Sequence, residues 1–279
     1  MGTEITLKDV WFHYYPQTES RENWAVQNVS LDFQQGEYVS IIGSNGSGKS
    51  SLACLLNGLF IPTEGAFCIN GQPITTDQDR WELKRRVGMI FQNPDNQIVA
   101  PSVVDDIAFG LENLGVSREE MKYRIPLVLE QVGLSGLEKK EPHHLSGGQK
   151  QRLAIAGILA MQPDVIIFDE STSMLDPDGR KHILRLMDEL HKSGITIIHI
   201  THQATEAFLA ERLIVIHQGR IMMDQSSKEL YANATLLDQW GLDVPIGILL
   251  HQALRDKGWK LSEKMESEEQ LVSELWTSM

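Results

Sequence analysis

The sequence predicts an α/β fold, and three observations carry that expectation. Apolar runs of strand length alternate with segments of helical spacing through most of the chain. A glycine-rich stretch, Gly43-Ser44-Asn45-Gly46-Ser47-Gly48-Lys49-Ser50, stands between the apolar run Tyr38 to Ile42 and the helical segment Ser51 to Leu56. A second buried-strand run, Val165 to Phe168, ends in two carboxylates, Asp169 and Glu170.

Taken in order, residues 4–12 alternate and read as a strand, followed by His13-Tyr14-Tyr15-Pro16 and a polar loop through Glu22. Val26 to Phe33 is a second strand and Gln34-Gln35-Gly36-Glu37 a turn, so the chain opens on a small, mainly antiparallel layer. Tyr14 and Tyr15 lie near the start of a nucleotide fold, where a ring either stacks on a base or fills the core. After the glycine-rich stretch and its helix, Pro62 to Gly65 form a turn and Ala66 to Gly71 a strand plus turn. Trp81 to Arg86 is a short helix, and Val87 to Gln92 an apolar strand ending in a glutamine before the polar loop Asn93 to Gln97.

From Ser102 to Leu137 the spacing turns helical, with one helix through Val103, Ile107, Phe109, Leu111 and Leu114 and another from Met121 to Val132. This block interrupts the strand–helix alternation and reads as an inserted helical subdomain. Leu145-Ser146-Gly147-Gly148-Gln149 then precedes a helix from Lys150 to Met161. Beyond Glu170 come a helix (His182 to Ser193), a strand (Ile195 to Ile200), a helix around Ala204 to Ala210, a strand (Arg212 to His217) and a turn at Gln218-Gly219-Arg220. Residues 221–279 are helix-forming, with apolar patches at Leu236-Leu237, Ile246 to Leu254 and Gln270 to Trp276, and carry no visible chemistry.

Composition narrows the partners. The 279 residues, 42% of them hydrophobic, suffice for one large domain with a sizeable core. Lys plus Arg number 25 against 38 for Asp plus Glu, and the net charge of −13 disfavours nucleic acid. The basic cluster Lys84-Arg85-Arg86 reads as a solvated helix face. Cys54 and Cys68 sit singly in apolar segments and read as buried free thiols of a reducing compartment. No signal-peptide pattern opens the chain, and no apolar stretch reaches the roughly 18–20 residues needed to span a bilayer. The expectation is a soluble cytoplasmic chain able to dock on a membrane protein.

Gly43 to Ser50 has the strand–loop–helix context of a phosphate-binding P-loop. Its glycines let backbone N–H groups curl around a phosphate, and the positive end of the next helix faces the same point. The nucleotide-binding set is Gly43, Ser44, Asn45, Gly46, Ser47, Gly48, Lys49, Ser50 and Ser51, with Lys49 serving the β- and γ-phosphates and Ser50 binding Mg²⁺. A nucleoside triphosphate and Mg²⁺ are therefore the expected ligands. Val165 to Asp169 matches a Walker B strand, with Asp169 in the Mg²⁺ shell. Glu170 diverges from Asp169 along the strand and can act as general base on a water in line with the γ-phosphate. Gln92 reads either as a ligand of Mg²⁺ or the attacking water, or as a polar strand end; His202 can hydrogen-bond a γ-phosphate oxygen. A zinc site with His199 is disfavoured, because the two rings fall on opposite faces of a strand end.

Ser146, Gly147, Gly148 and Gln149, at a helix N-terminus, make a second anion nest. One nucleotide does not need two nests on one chain, so this one is expected to meet ATP held by a partner chain.

Together these motifs resemble the ATP-binding-cassette (ABC) ATPase family over residues 4 to about 220. The resemblance implies a P-loop NTPase with a RecA-like core and an antiparallel β layer, an inserted helical subdomain at about 93–160, and a short helical extension at 221–279 expected to serve dimerisation. It further implies that Tyr14 stacks on adenine, that Asp176 in Ser173-Met174-Leu175-Asp176 couples two sites, and that Gln92 begins a loop facing a membrane partner. Phe91-Gln92-Asn93-Pro94-Asp95-Asn96-Gln97, Asp169-Glu170-Ser171-Thr172-Ser173-Met174-Leu175-Asp176-Pro177 and the C-terminal extension are similar to the ATPases of energy-coupling factor (ECF) vitamin transporters. Ser171 departs from the proline usual in ABC ATPases and is similar to one of two ECF paralogues. The implied assembly is a heterodimer with a paralogous ATPase, bound to a transmembrane coupling subunit and through it to a substrate-binding membrane subunit, peripheral on the cytoplasmic face. A cobalt or nickel importer and a soluble ABC protein acting on ribosomes or DNA are the alternatives.

Overall fold

The computed structural model describes residues 3–15, 24–231, 234–259, 261–262 and 268–278; most of the polar loop expected up to Glu22 lies outside them. Two sheets form the frame. The smaller, of order β2-β1-β4-β5, is antiparallel and contains β1 (Ile5–Phe12), β2 (Val26–Phe33), β4 (Glu64–Ile69) and β5 (Gln72–Pro73). Along β1 the buried positions shift phase, from Ile5 and Leu7 to Val10 and Phe12, and the register against β2 slips between Leu7 and Val10. Asp9 takes up the slip with a φ of 48°, a bulge that keeps both halves of the strand facing the core.

The larger sheet has the order β10-β9-β3-β8-β7-β6, formed by β3 (Tyr38–Ile42), β6 (Val87–Ile90), β7 (Val165–Asp169), β8 (Thr196–Thr201), β9 (Arg212–His217) and β10 (Arg220–Ser226). All neighbours are parallel except β10, which returns antiparallel along β9. Every residue of β3, β6, β7 and β8 is buried, because elements cover both faces of this sheet. On one face α1 (Lys49–Leu56) and the antiparallel layer form a core with Leu52, Leu55, Phe33 and Phe67. On the other, α3 (Val103–Asn113), α4 (Arg118–Gln131), α5 (Gly147–Ala160) and α6 (Pro177–Lys192) pack around Phe168, Ile107 and Leu153.

The register decides where chemistry collects. Ile42 pairs with Thr201, Asp169 with Ile200 and Ile90 with Phe168. Four segments distant in sequence therefore leave the sheet at its C-terminal edge, where ligands of open parallel sheets bind.

Several elements differ from expectation. α2 runs Asp77–Arg86, starting ahead of Trp81, because Thr76 caps it in a reciprocal box with Asp79. α6 begins at Pro177, with Asp176 as its cap. The sheet continues past Arg220 to Ser226 as β10, so the strand lies across the 220/221 division drawn from the pattern. The cysteines are free but half-buried rather than buried. After β10 follow α8 (Ser227–Tyr231), a 3-10 segment (Ala234–Trp240), α9 (Ile246–Asp256) and α10 (Glu268–Ser278). Leu237, Ile248 and Leu271 pack with Ile42, Leu213 and Val215, as does Ala207 of α7 (Ala204–Ala207).

At Gly88 in β6 a Cβ would run into Ile158 Cγ2 of α5. Gly88→Ala is expected to cost about 1–3 kcal/mol by overpacking. Urea denaturation should show that cost, and it should shrink when the substitution is made in an Ile158→Ala background.

Candidate nucleotide site

The loop after β3 is built around its backbone. Gly48, the N-cap of α1, has φ 106°, and a Cβ there would run into the Ala25 carbonyl; only glycine fits. No side chain caps α1 and no acidic residue stands in its first turn, so its leading N–H groups are free for an external acceptor. The Ser47 hydroxyl is buried without a hydrogen-bond partner among the described residues. Lys49, also buried, donates to the Gly43 and Ser44 carbonyls at 2.8 and 3.1 Å. This donor set fits a chain of phosphates.

Glu170 is the meeting point of the other loops. Its Oε1 lies 3.3 Å from Lys49 Nζ. Its Oε2 accepts from Gln92 Nε2 at 3.2 Å and lies 3.4 Å from His202 Nδ1. The residue has φ 48° while its N–H still bonds the Ile200 carbonyl at 2.9 Å. The chain thus makes a left-handed turn at the strand end, and that turn, beyond simple strand alternation, separates Glu170 from Asp169. Asp169 Oδ1 accepts from Ser50 Oγ at 3.1 Å. The Asp169 carboxyl is pushed up to about 6, chiefly by burial and also by Glu170, against the opposing effects of the Ser50 hydrogen bond and Lys49. The Ser50 hydroxyl and Asp169 carboxylate, with the Gln92 amide nearby, are hard oxygen donors of the kind Mg²⁺ prefers.

A cleft of about 540 Å³ is lined by Tyr14, Ala25, residues 45–51, Gln92, Glu170 and His202. Gly43, Ser44 and Asp169 stand behind this lining, reached through Lys49 and Ser50. Tyr14 is half-exposed, its hydroxyl 2.8 Å from Ser51 Oγ and its ring edge-on to Phe12 and Phe60. His199 and His202 diverge: the first is fully buried and the second exposed.

Ser146, Gly147 and Gly148 do not line this cleft. They line a second one, also about 540 Å³, with Arg152, Met174, Leu175, Asp176, Asp178, Gly179 and His182. Gln149 turns back instead: its Oε1 accepts from the Ser146 N–H at 3.0 Å, and its own N–H donates to Ser146 Oγ at 3.3 Å. That capping box holds the nest in shape. Burial, Arg152 and Arg185 keep His182 below the usual histidine range, and it is neutral at pH 7.

Three further residues stand at these clefts without a role expected from the sequence: Ser173, Arg152 and His182. Ser173 accepts from Gln92 Nε2 at 3.3 Å and donates to the Glu170 carbonyl at 2.8 Å; no local pattern announces a partner so far away in the chain. Arg152 and His182 carry a readable signal, each lying one helical turn beyond a residue of the same cleft, Gly148 and Asp178.

Residues 26–173 match the family described as ABC transporter. The chain is 47% identical to the energy-coupling factor transporter ATP-binding protein EcfA1 of Halalkalibacterium halodurans, over 99% of this chain and 98% of that one. It is 46% identical to EcfA1 of Bacillus subtilis, over 98% and 96%. Among solved structures it resembles cbiO1 of Clostridium perfringens, described as part of the ABC transporter complex cbiONQ, with TM-score 0.75 and 33% identity over 89% of this chain and 98% of that one. It also resembles the dimeric post-hydrolysis state of the ATP-binding cassette MJ0796 bound to ADP and Pi, with TM-score 0.71 and 30% identity over 80% and 98%.

Because Asp169 is held above the ordinary carboxylate value of about 3.9, ionising it costs folding stability, and that cost grows as pH rises from about 4 to about 6. Asp169→Asn should therefore stabilise the protein by up to about 3 kcal/mol at pH 7.5, measured without added nucleotide. The gain should vanish by about pH 4 in denaturation series across pH.

Proposed function

The chain belongs to the ABC transporter family, most like its energy-coupling factor ATP-binding subunits, and from this premise we propose that it powers micronutrient (vitamin) uptake by closing onto a second ATPase chain around ATP. It is an ATP-hydrolysing subunit of a membrane transporter complex. The observation that carries the closure is the placement of its two phosphate nests in separate clefts, one with Glu170 and one with Asp176. Each chain then brings half of each site, and the nest of Ser146, Gly147 and Gly148, shaped by Gln149, meets the ATP held on the partner's P-loop. A dimeric ABC cassette among the similar structures supports this arrangement.

In that reading the N–H groups of residues 43–51 and the Lys49 ammonium bind the phosphates, and Tyr14 stacks on adenine at the far end of the cleft. Mg²⁺, held by Ser50, Asp169 and Gln92, supplies charge neutralisation of the phosphates. Glu170 takes a proton from the attacking water as its oxygen bonds the γ-phosphorus and the bridging oxygen leaves with ADP. His202 holds a γ-phosphate oxygen, and Gln92, bonded to Glu170, passes the state of the site to the loop that follows it. Val99 on that loop and Phe109 on α3 are exposed and apolar, a surface suited to helices of the transmembrane coupling subunit, which in turn binds a substrate-binding membrane subunit.

No helix of the described residues is long and apolar enough to cross a membrane. With a net charge of −13 the chain has no general attraction to anionic lipid, which supports attachment through the membrane subunits on the cytoplasmic face. The partner ATPase is proposed to be a paralogue, as the Ser171 pattern implies. The core is proposed to end with β10, with the helical subdomain at about 93–160 inserted in it, and the elements after Ser226 to hold the dimer. Ile246, Leu249 and Leu250 share an exposed apolar face of α9, and Val272 and Trp276 one of α10. The likeness to cbiO1 also fits another single-cassette importer; co-purification of the membrane partners separates the two.

Glu170→Gln should retain ATP binding, lower the hydrolysis rate by about 10²–10⁴-fold and trap the closed dimer, read as ATP that stays bound through size exclusion; unchanged turnover would refute the base assignment. Truncation after Ser226 should abolish dimerisation in the absence of nucleotide, and an undiminished dimer would refute the role of the extension.

A further inference from the structure

A carboxylate that contacts neither cleft is buried behind the site. Glu206, on the short α7, has its Oε2 accepting from the Thr172 hydroxyl at 2.8 Å and the Thr201 hydroxyl at 3.2 Å. Its Oε1 lies 3.4 Å from Arg180 Nε. His199 stands 3.7 Å from Oε2, beyond hydrogen-bond reach, and burial pushes this imidazole down to about 4, so it is neutral. Arg180 is the counter-charge.

What the carboxylate joins is informative. Thr172 lies two residues beyond Glu170. Thr201 directly precedes His202, and its Oγ also accepts the Gln203 N–H at 3.0 Å, fixing the backbone on both sides of the histidine. Arg180 stands in the first turn of α6, its N–H bonded to the Asp176 carbonyl at 2.9 Å, and its guanidinium donates to Gln203 Oε1 at 2.6 Å. One side chain therefore ties the loop of Glu170, the loop of His202 and the helix that starts at Asp176. Burying a carboxylate is expensive, and an apolar side chain fills such a space at lower cost. The network makes sense as a coupling device.

We propose that Glu206 is a positioning residue that locks these three loops into one switch, so that the γ-phosphate contact at His202, the placement of Glu170 and the dimer-facing Asp176 loop change together. The inference rests on the ATPase reading above. It predicts that the charge and shape of Glu206 matter for turnover rather than for nucleotide affinity.

The test compares wild type, Glu206→Gln, His202→Ala and the double variant, reading kcat and KM for Mg²⁺-ATP hydrolysis, equilibrium ATP binding and melting temperature. Loss of alignment should lower kcat of Glu206→Gln by up to about 10²-fold, with ATP binding near the wild-type value and an effect that is not additive with His202→Ala. Wild-type kcat in Glu206→Gln overturns the proposal. So does a parallel fall of kcat, affinity and melting temperature, which marks a merely structural role. If Glu206→Gln does not fold, Thr172→Val and Thr201→Val, each removing one hydroxyl from the carboxylate, decide by the same readouts. Failure of the ATPase reading itself would appear separately, as a wild-type chain without hydrolysis even when assembled with its partner ATPase and membrane subunits.

Discussion

Four parallel strands have to end at the same level for this site to exist. Residues 42, 90, 169 and 201 lie far apart in the chain, and the pairing of Ile42 with Thr201, Ile90 with Phe168 and Asp169 with Ile200 draws them to one edge. A slip of one residue in any of these ladders would reverse which face its side chains take. The fully buried, branched side chains of β3, β7 and β8 prevent that slip, since each is wedged between α1 on one face and the helical layer on the other. The hydrophobic packing of the sheet is thus the source of the precision at its polar rim.

Charge at that rim is balanced through one carboxylate. Glu170 is approached by Lys49, Gln92 and His202 from three loops, and its left-handed backbone turn aims it away from Asp169. Lys49 has three N–H donors, of which two address the Gly43 and Ser44 carbonyls. Glu170 and a phosphate oxygen therefore compete for the same cation. In the proposed mechanism Glu170 would yield Lys49 to phosphate and keep its hydrogen bond to Gln92, while His202 would turn to a γ-phosphate oxygen.

Most of the rim was legible because its motifs are local. The P-loop, the strand ending in Asp169 and Glu170, and the nest at Ser146 each declare themselves within a few residues. What escaped depends on tertiary context. β10 alternates exposed with half-buried positions and includes Asp224 and Gln225, so nothing in its pattern separates it from a polar linker; it is a strand because β9 offers it an edge. α2 begins at Asp77 because of Thr76 and Asp79, a box that could have been read from sequence. Gln149, expected to meet a partner's ATP, also closes a capping box with Ser146 at the start of its own helix. Glu206 and its threonine partners were silent, since Thr172 and Glu206 stand 34 residues apart and meet only in the folded chain.

The separation of the two clefts also accounts for the kind of switch this chain can form. The Ser146 nest is uncharged, made of backbone N–H groups shaped by a capping box, and Arg152 and the neutral His182 border it. Such dipoles bind an anion only at short range, whereas a long-range attraction between two copies of so acidic a surface is absent. Closure onto a second ATPase chain would then depend on a phosphate that physically bridges the nests. In the proposed dimer ATP would supply that third phosphate and ADP would not, so hydrolysis would remove the bridge itself. Glu206 fits this logic from behind: it links the loop that carries Glu170 to the helix whose start, Asp176, borders the Ser146 nest. On the proposed dimer reading, a chain whose own ATP lies in one cleft and whose contact with the neighbour's lies in the other would need a rigid connection between them, and the buried Glu206 carboxylate with its threonines and arginine would supply it.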